Sequence, residues 1–547
     1  MTTPIFALGD EFIRRTAAGN PVRATYLGIT EGFDGTGDFG PDGQAAEAAL
    51  ARDTLARLDT LPETGDADRV AATHMRERLT AELAAYDTGE WKRALRAPYG
   101  MVQSLRNYVD MGPHTTPEQW ETVAMRLDGM PGLLAGWRQC LQVGLDDGTV
   151  AARRQALEAA NQAENYVRIG SFDSIVSEYG EGPLRDRLAR GAAAAHEAYD
   201  DLVRFLREEY APRATEADGV GPERYAVAAR LGLGADIDLV DAYHWGWAEL
   251  RDLETQMTAE VQRVQPGGTI ESAIAHLNAT EFVDGADAYL AWLKDLHVWA
   301  LEQLDGSHFD IDARLKDLEV VLVHAQGAGS AYYTGPSEDL SRPARTWWPV
   351  AGRDRFATWS EATTVFHEGV PGHHLQIGQM KLAGDRLSRF NRSAGVSGHS
   401  EGWALYAERL ADELGWHTEP GRRLGMLKGS ALRAARVVID IGLHLDLPIP
   451  AEETARHGRR WNFDVAVEVL RDRGRIAEHR LLPEVVRYCG WPGQAITYKL
   501  GERAWLAARD EAKARLGADF DLKAWHTAAL DLGPVGLDTL AGFLREL

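Results

Sequence analysis

Three histidines fall inside eight residues, His367-Glu368-Gly369-Val370-Pro371-Gly372-His373-His374, in a chain that has 17 histidines in all. A histidine followed by a glutamate on a helix is half of a zinc-hydrolase site. In the HExxH arrangement, imidazoles at i and i+4 share a face and reach one ion. The glutamate beside the first imidazole then activates the bound water. Here the spacing departs from that pattern, because position i+4 is Pro371, which has no donor. On a regular helix His374 shares the face of His367 but lies roughly 10 Å along the axis, and His373 lies about 120° round. A Gly-Val-Pro-Gly stretch, however, is one that breaks or bulges a helix. A break there can bring His373 back beneath His367, so His373 and His374 both stand as candidates for the second imidazole.

Downstream, Ser397-Gly398-His399-Ser400-Glu401-Gly402-Trp403-Ala404-Leu405-Tyr406-Ala407-Glu408 reads as a turn, with His399 in it, that leads into a second helix. A carboxylate from a second helix is the usual partner of two such histidines, and Glu401 is placed to supply it. Glu408 follows seven residues later on the same face and could orient a ligand histidine through its other nitrogen. Asp440 and His444 are i, i+4 on a later helix face, where they could pair with each other or support the metal ligands. Gly398-His399-Ser400-Glu401-Gly402 also fits G-x-S-x-G, which demands a buried strand immediately before the serine. The preceding Arg389-Phe390-Asn391-Arg392-Ser393-Ala394-Gly395 is polar and small, so a serine nucleophile is set aside.

The elements that must carry these residues are mostly helical. Thr358-Trp359-Ser360-Glu361 fits a capping box, so a helix beginning there carries His367 and Glu368 in its third turn. Amphipathic runs cover about 44–58, 67–86, 117–143, 151–166, 184–209 and 237–264, separated by Asp/Gly/Pro punctuation. Residues 318–324 are β-branched and apolar and read as a buried strand. The stretches 331–336 and 343–350 read as further strand segments. The prolines at 343 and 349 suggest a sheet edge, to which an extended peptide could add as a strand. After Asp354 the helical pattern returns. The expectation is a mainly α protein with a small sheet beside the metal helix. Residues 1–310 would form a helical lobe and one wall of a cleft. Residues 311–547 would form a catalytic lobe, with the two parts making one continuous unit.

The 547 residues are 45% hydrophobic and 26% charged, the mix of a chain that folds around a core. With 59 Lys+Arg against 82 Asp+Glu, the formal charge of −23 argues against nucleic acid or an anionic membrane as partner. No stretch reaches 18 consecutive apolar residues. The two cysteines, Cys140 and Cys489, offer neither a disulfide framework nor a metal-binding pair. The first residues, MTTPIFALGDEFIRR, lack the basic and apolar regions of a secretory signal. Together these features predict a cytoplasmic protein.

HEGVPGHH followed by SEGWALYAE resembles the DUF885 family, as do the segments 436–444 and 492–501. The resemblance implies a zinc metallopeptidase of the gluzincin type, with a two-lobed helical fold around a deep central cleft. It implies one Zn²⁺ per chain on His367, His373 and Glu401, with Glu368 as general base. In similar peptidases a Tyr or His steadies the oxyanion, and Tyr498 is the candidate here. Lys499, Arg503 and Arg436 are candidates for contact with substrate. The implied substrate is a short oligopeptide or a C-terminal amide. Two other possibilities remain open in the sequence: a metal-dependent hydrolase of a non-peptide amide, and a catalytically silent helical binding protein.

Overall fold

The apolar periodicity of the first half becomes long helices: Pro41–Leu58, Asp66–Asp87, Pro117–Asp147, Arg153–Arg168 and Arg185–Arg204. Their starts follow local chemistry. Pro41 and Pro117 occupy first turns, where a missing N–H costs nothing. Thr116 and Gln119 close a capping box ahead of the second of these. The computed structural model describes residues 3–29, 37–112, 114–324, 330–337, 340 and 342–546. Over these residues the protein is mainly α-helical, with two small sheets.

The helices enclose three apolar cores. One is drawn from residues 39–211 and includes Leu127, Trp137 and Tyr199. A small N-terminal core closes on Phe390 and Ala394. The largest takes in Val70 and residues from Tyr225 to Leu544, and it surrounds the histidine cluster. Its helices are α1 (Leu239–Val264), α2 (Ala286–Leu304), α3 (Thr358–Glu368), α4 (His373–Leu382), α5 (Ser397–Glu413), α6 (Pro420–Leu445), α7 (Glu478–Gly490) and α8 (Thr497–Leu516). From Ala434 to His444, α6 is buried on every face, which makes it the central helix of this core.

The larger sheet has three strands, β1 (Leu318–Val323), β2 (Tyr332–Thr334) and β3 (Ala344–Pro349), in the order β1-β3-β2. β3 runs parallel to β1, with Val320 opposite Thr346, and antiparallel to β2, with Tyr333 opposite Thr346. The expectation that 343–349 forms the edge is therefore corrected: β3 is the middle strand. Pro343 precedes it and Pro349 ends it, so neither proline interrupts the interior of the ladder. The capping box at Thr358 is also corrected. Ala357 is the N-cap residue of α3 and makes no side-chain cap. Glu361 instead accepts from the Tyr289 hydroxyl at 2.8 Å and from Arg353 at 2.8 Å.

Helices α5 and α8 cross at glycines. A Cβ on Gly501 would lie 2.2 Å from the Gly398 carbonyl oxygen and 2.6 Å from the Gly402 Cα. One on Gly402 would lie 2.4 Å from the Gly501 carbonyl carbon. The obstructing atoms are backbone, so no side chain can move aside. The G-x-x-x-G spacing at 398–402 is thus a helix-packing feature, and Ser400 lies within α5 rather than on a strand-to-helix turn. Gly501→Ala should force the helices apart and destabilise the protein by about 1–3 kcal/mol. Gly132→Ala, with open space at its Cβ, should change stability by at most about 1 kcal/mol, in the stabilising direction. Denaturant titration of the two variants checks both outcomes.

Candidate metal centre

α3 ends at Glu368 with Gly369 as its C-cap, and α4 begins at His373. Between them the chain turns through a cis Val370–Pro371 bond. The Gly372 N–H donates to the Phe366 carbonyl at 3.0 Å. A Cβ on Gly372 would sit 2.0 Å from the His367 carbonyl oxygen, so this close return of the chain needs glycine. Trp403 Nε1 of α5 donates to the Pro371 carbonyl at 2.8 Å and ties the break to the second helix. The consequence is that the His367 and His373 rings lie 4.9 Å apart, almost perpendicular at 86°.

His367, His373 and Glu401 each offer one donor atom, and the three atoms lie within 4.8 Å of one another. Glu401 Oε2 is 3.4 Å from His367 Nε2 and 3.6 Å from His373 Nε2. Among the described residues this shielded oxygen has no hydrogen-bond partner. Two imidazoles and a carboxylate converging on one point are a donor set that suits Zn²⁺. Burial opposes ionisation of Glu401, but the two imidazoles hold its carboxyl well below the usual carboxylate range. Burial also opposes charge on His367. Glu401 and Glu408 outweigh it and push that imidazole up to about 10. Glu368, buried beside the set, is pushed up by burial and by the Glu401 charge, against the pull of the two histidines. Its Oε2 too has no hydrogen-bond partner among the described residues.

A further layer orients the imidazoles. His367 Nδ1 is 2.9 Å from Glu408 Oε1, which leaves Nε2 to face Glu401. Glu408 in turn accepts from the Thr363 hydroxyl and lies 3.7 Å from Arg433. His373 Nδ1 is 3.4 Å from the Ser400 hydroxyl. His374 does not join the cluster. Its Nε2 meets the Leu315 carbonyl at 2.6 Å and its Nδ1 meets the Tyr333 hydroxyl at 3.1 Å. A carbonyl only accepts, so Nε2 carries the proton and both nitrogens are engaged.

The remaining residues named from the sequence divide between this site and other places. Tyr498, on α8, is partly buried. Burial and the Glu401 charge push its phenol up, and Gln494 Nε2 approaches its hydroxyl at 3.5 Å. Arg436 lies 5.0 Å from the Tyr498 ring centroid. Asp440 and His444 are fully buried away from the donor set. Asp440 Oδ2 accepts from the Tyr225 hydroxyl at 2.7 Å and from the Gly493 N–H at 2.9 Å. His444 Nε2 is 3.0 Å from the Tyr488 carbonyl and 3.8 Å from Asp440 Oδ1. The pair ties α6 to the turn that leads into α8. Lys499 is buried against Glu249 of α1 at 2.9 Å and against Glu502, so its ammonium is already paired. Arg503 is exposed, 3.5 Å from Asp241 and stacked on Trp245. At 100° per residue, positions 499 and 503 leave the face of α8 that carries Tyr498. His399 lies in the first turn of α5 and not in a loop, and burial pushes it down to about 3.

Thr363, Arg433, Tyr333 and Arg487 carry no motif as site residues, and Ser400, set aside as a nucleophile, instead faces His373 Nδ1. Thr363 was findable, since it sits four residues before His367 on the same helix face. Arg433 and Arg487 reach the site from α6 and α7, and no local spacing signals them.

The chain belongs to the DUF885 family: the model of a "Bacterial protein of unknown function (DUF885)" matches residues 21–543. None of the curated proteins matches it. Solved structures that share its fold include two bacterial proteins. One, "the putative lipoprotein from Colwellia psychrerythraea", is 20% identical, with a TM-score of 0.84, and the match covers 99% of this chain and 98% of that one. The other, a "putative lipoprotein of unknown function from Shewanella oneidensis", is 17% identical, with a TM-score of 0.76 and coverage of 98% and 99%.

The buried ion pairs around His367 set a stability prediction for the metal-free protein. Its imidazole is raised from 6.5 to about 10, so the stability it contributes is full below pH 6.5 and is lost as pH rises through 10. Denaturation in chelator should therefore show a midpoint that falls between pH 6.5 and 10. Glu408→Gln should flatten that fall. Glu408→Ala, which strands His367 and Arg433, should cost about 3–5 kcal/mol.

Proposed function

We propose that this protein is a zinc-dependent hydrolase that cleaves short peptides. The observation that carries the proposal is the convergence of His367, His373 and Glu401 within 4.8 Å, with the buried Glu368 carboxylate alongside. Zn²⁺ bound there would polarise a substrate carbonyl and acidify a water molecule. Glu368 takes the proton from the attacking water and hands it to the leaving amine. Its raised pKa fits both halves of that task, since a stronger base accepts the proton and can still release it. Tyr498 donates a hydrogen bond to the carbonyl oxygen as that oxygen gains charge. Because burial and Glu401 hold the phenol above its usual range, it stays protonated at neutral pH and remains a donor. Glu408, Thr363 and Arg433 keep His367 in one orientation and one tautomer. Residues 1–310 and 311–547 would form the two walls of a cleft that admits short chains and excludes folded proteins.

Elemental mass spectrometry of the purified protein tests the site. The expected result is near one zinc per chain, lost in His367→Ala and in His373→Ala and retained in His374→Ala. Glu368→Gln should retain the zinc while peptide turnover falls by about 10²–10⁴-fold. Absence of metal even after incubation with zinc would overturn the proposal. Full metal with turnover only of non-peptide amides would move the substrate class and leave the chemistry in place.

A further inference from the structure

Beside Tyr498 lies a second cluster of charged groups that the proposed chemistry does not use. Arg436 of α6 and Arg487 of α7 are 7% and 5% exposed. Both donate to one oxygen, Glu484 Oε2, each at 2.9 Å. The Tyr488 hydroxyl donates to the same oxygen at 2.6 Å, and Arg436 Nε donates to the Tyr488 hydroxyl at 3.1 Å. Two guanidinium groups therefore share one carboxylate. Arg487 also acts on the Asp440 carboxyl. Burial pushes that carboxyl up to about 7, so at neutral pH it offsets only part of the surplus. Its Oδ2 is also committed to Tyr225 and Gly493. Surplus buried charge is costly unless an anion completes it. Arg436 reaches these partners through Nε and Nη2.

The cluster is aligned with the catalytic groups. The Arg436 guanidinium sits 5.0 Å from the centre of the Tyr498 ring. Arg487 Nη1 donates to Gln494 Oε1, and Gln494 Nε2 reaches the Tyr498 hydroxyl at 3.5 Å. The Glu401 carboxylate and the arginine pair both act on the Tyr498 phenol, in opposite directions. From an attacked carbonyl to the carboxyl carbon of the next residue is roughly 3.3–3.8 Å, the repeat of the chain. An anion anchor one side chain beyond Tyr498 is therefore at the right scale for the terminus of a peptide cut at its last bond.

We infer that Arg436 and Arg487, sharing Glu484 beside Tyr498, form an anchor for a free C-terminal carboxylate, which makes the substrates unblocked peptides that lose their last residue. The inference rests on the peptidase function proposed above and narrows it from peptides in general to their carboxyl termini. The guanidinium fork matches a carboxylate in shape as well as charge. It also moves the anchoring role from Lys499 and Arg503, which are engaged elsewhere, to residues on α6 and α7.

The test compares N-acetyl-Ala-Ala-Phe with its C-terminal amide. Binding is measured by calorimetry on the zinc-loaded Glu368→Gln protein, where turnover is blocked, and products are followed on the wild type by mass spectrometry. The acid should bind at least about tenfold more tightly, the size of one charge-assisted hydrogen bond, and should release free phenylalanine. Arg436→Gln in the same background should bring acid and amide to equal affinity, and Arg436→Lys should restore part of the preference. The acid-against-amide comparison on the unaltered pocket decides the matter even where Arg436→Gln fails to fold. Equal binding and equal cleavage of acid and amide would overturn the anchor while leaving the peptidase intact. If neither peptide is bound nor cleaved, the peptidase function falls and the anchor falls with it.

Discussion

Both ring nitrogens of His367 face carboxylates of one helix. Nδ1 meets Glu408 at 2.9 Å and Nε2 faces Glu401 at 3.4 Å, and the two carboxylates lie two turns apart on α5. That pairing fixes the register of α3 on α5. A slip of one residue would swing either carboxylate by about 100° and leave buried charge without a partner. Thr363 and Arg433 hold Glu408 in turn, so the lock extends to α6. His373 enters the same space only because the chain folds back at Gly372, so the break between α3 and α4 and the register of α5 are parts of one constraint.

From this lock the other catalytic candidates inherit their positions. The backbone contact of Gly398 and Gly402 with Gly501 sets the distance between α5 and α8, and with it the placement of Tyr498 relative to Glu401. On α6, Arg433 and Arg436 are three residues apart, on neighbouring positions of one face. One reaches the carboxylate behind His367 and the other reaches the Tyr498 ring. A helix buried on all sides is a stiff mount, so the donor set and the arginine cluster are held at a fixed relation by a single element.

Most of the helices, the three strands of the larger sheet and two of the converging donors, His367 and Glu401, were legible in the sequence, because each depends on residue type and local spacing. The sequence left His373 and His374 as rivals for the second imidazole. The geometry separates them through contacts far along the chain, the Leu315 carbonyl and the Tyr333 hydroxyl, which occupy His374. Other misreadings share that origin. Pro343 and Pro349 suggested an edge, yet strand order depends on which neighbours pair, and the prolines only mark where β3 begins and ends. Thr358 and Glu361 had capping spacing, but Tyr289 and Arg353 claimed the glutamate. Lys499 and Arg503 looked like anion binders until Glu249 and Asp241 of α1 were seen to pair with them.

The overall charge constrains where recognition of an anion can occur. A chain with a formal charge of −23 presents an acidic exterior that repels a peptide carboxylate at long range. At physiological ionic strength that repulsion is screened beyond about 8 Å, so it weakens association without forbidding it. Attraction for such an anion must then come from groups shielded from that exterior. Arg436 and Arg487 meet that requirement, because they are shielded from bulk solvent, with Arg436 against the Tyr498 ring. In a buried setting their field is screened far less than at the surface, so one surplus positive charge can outweigh many distant negative ones. Under the proposed function, discrimination would thus reside beside Tyr498 rather than at the surface.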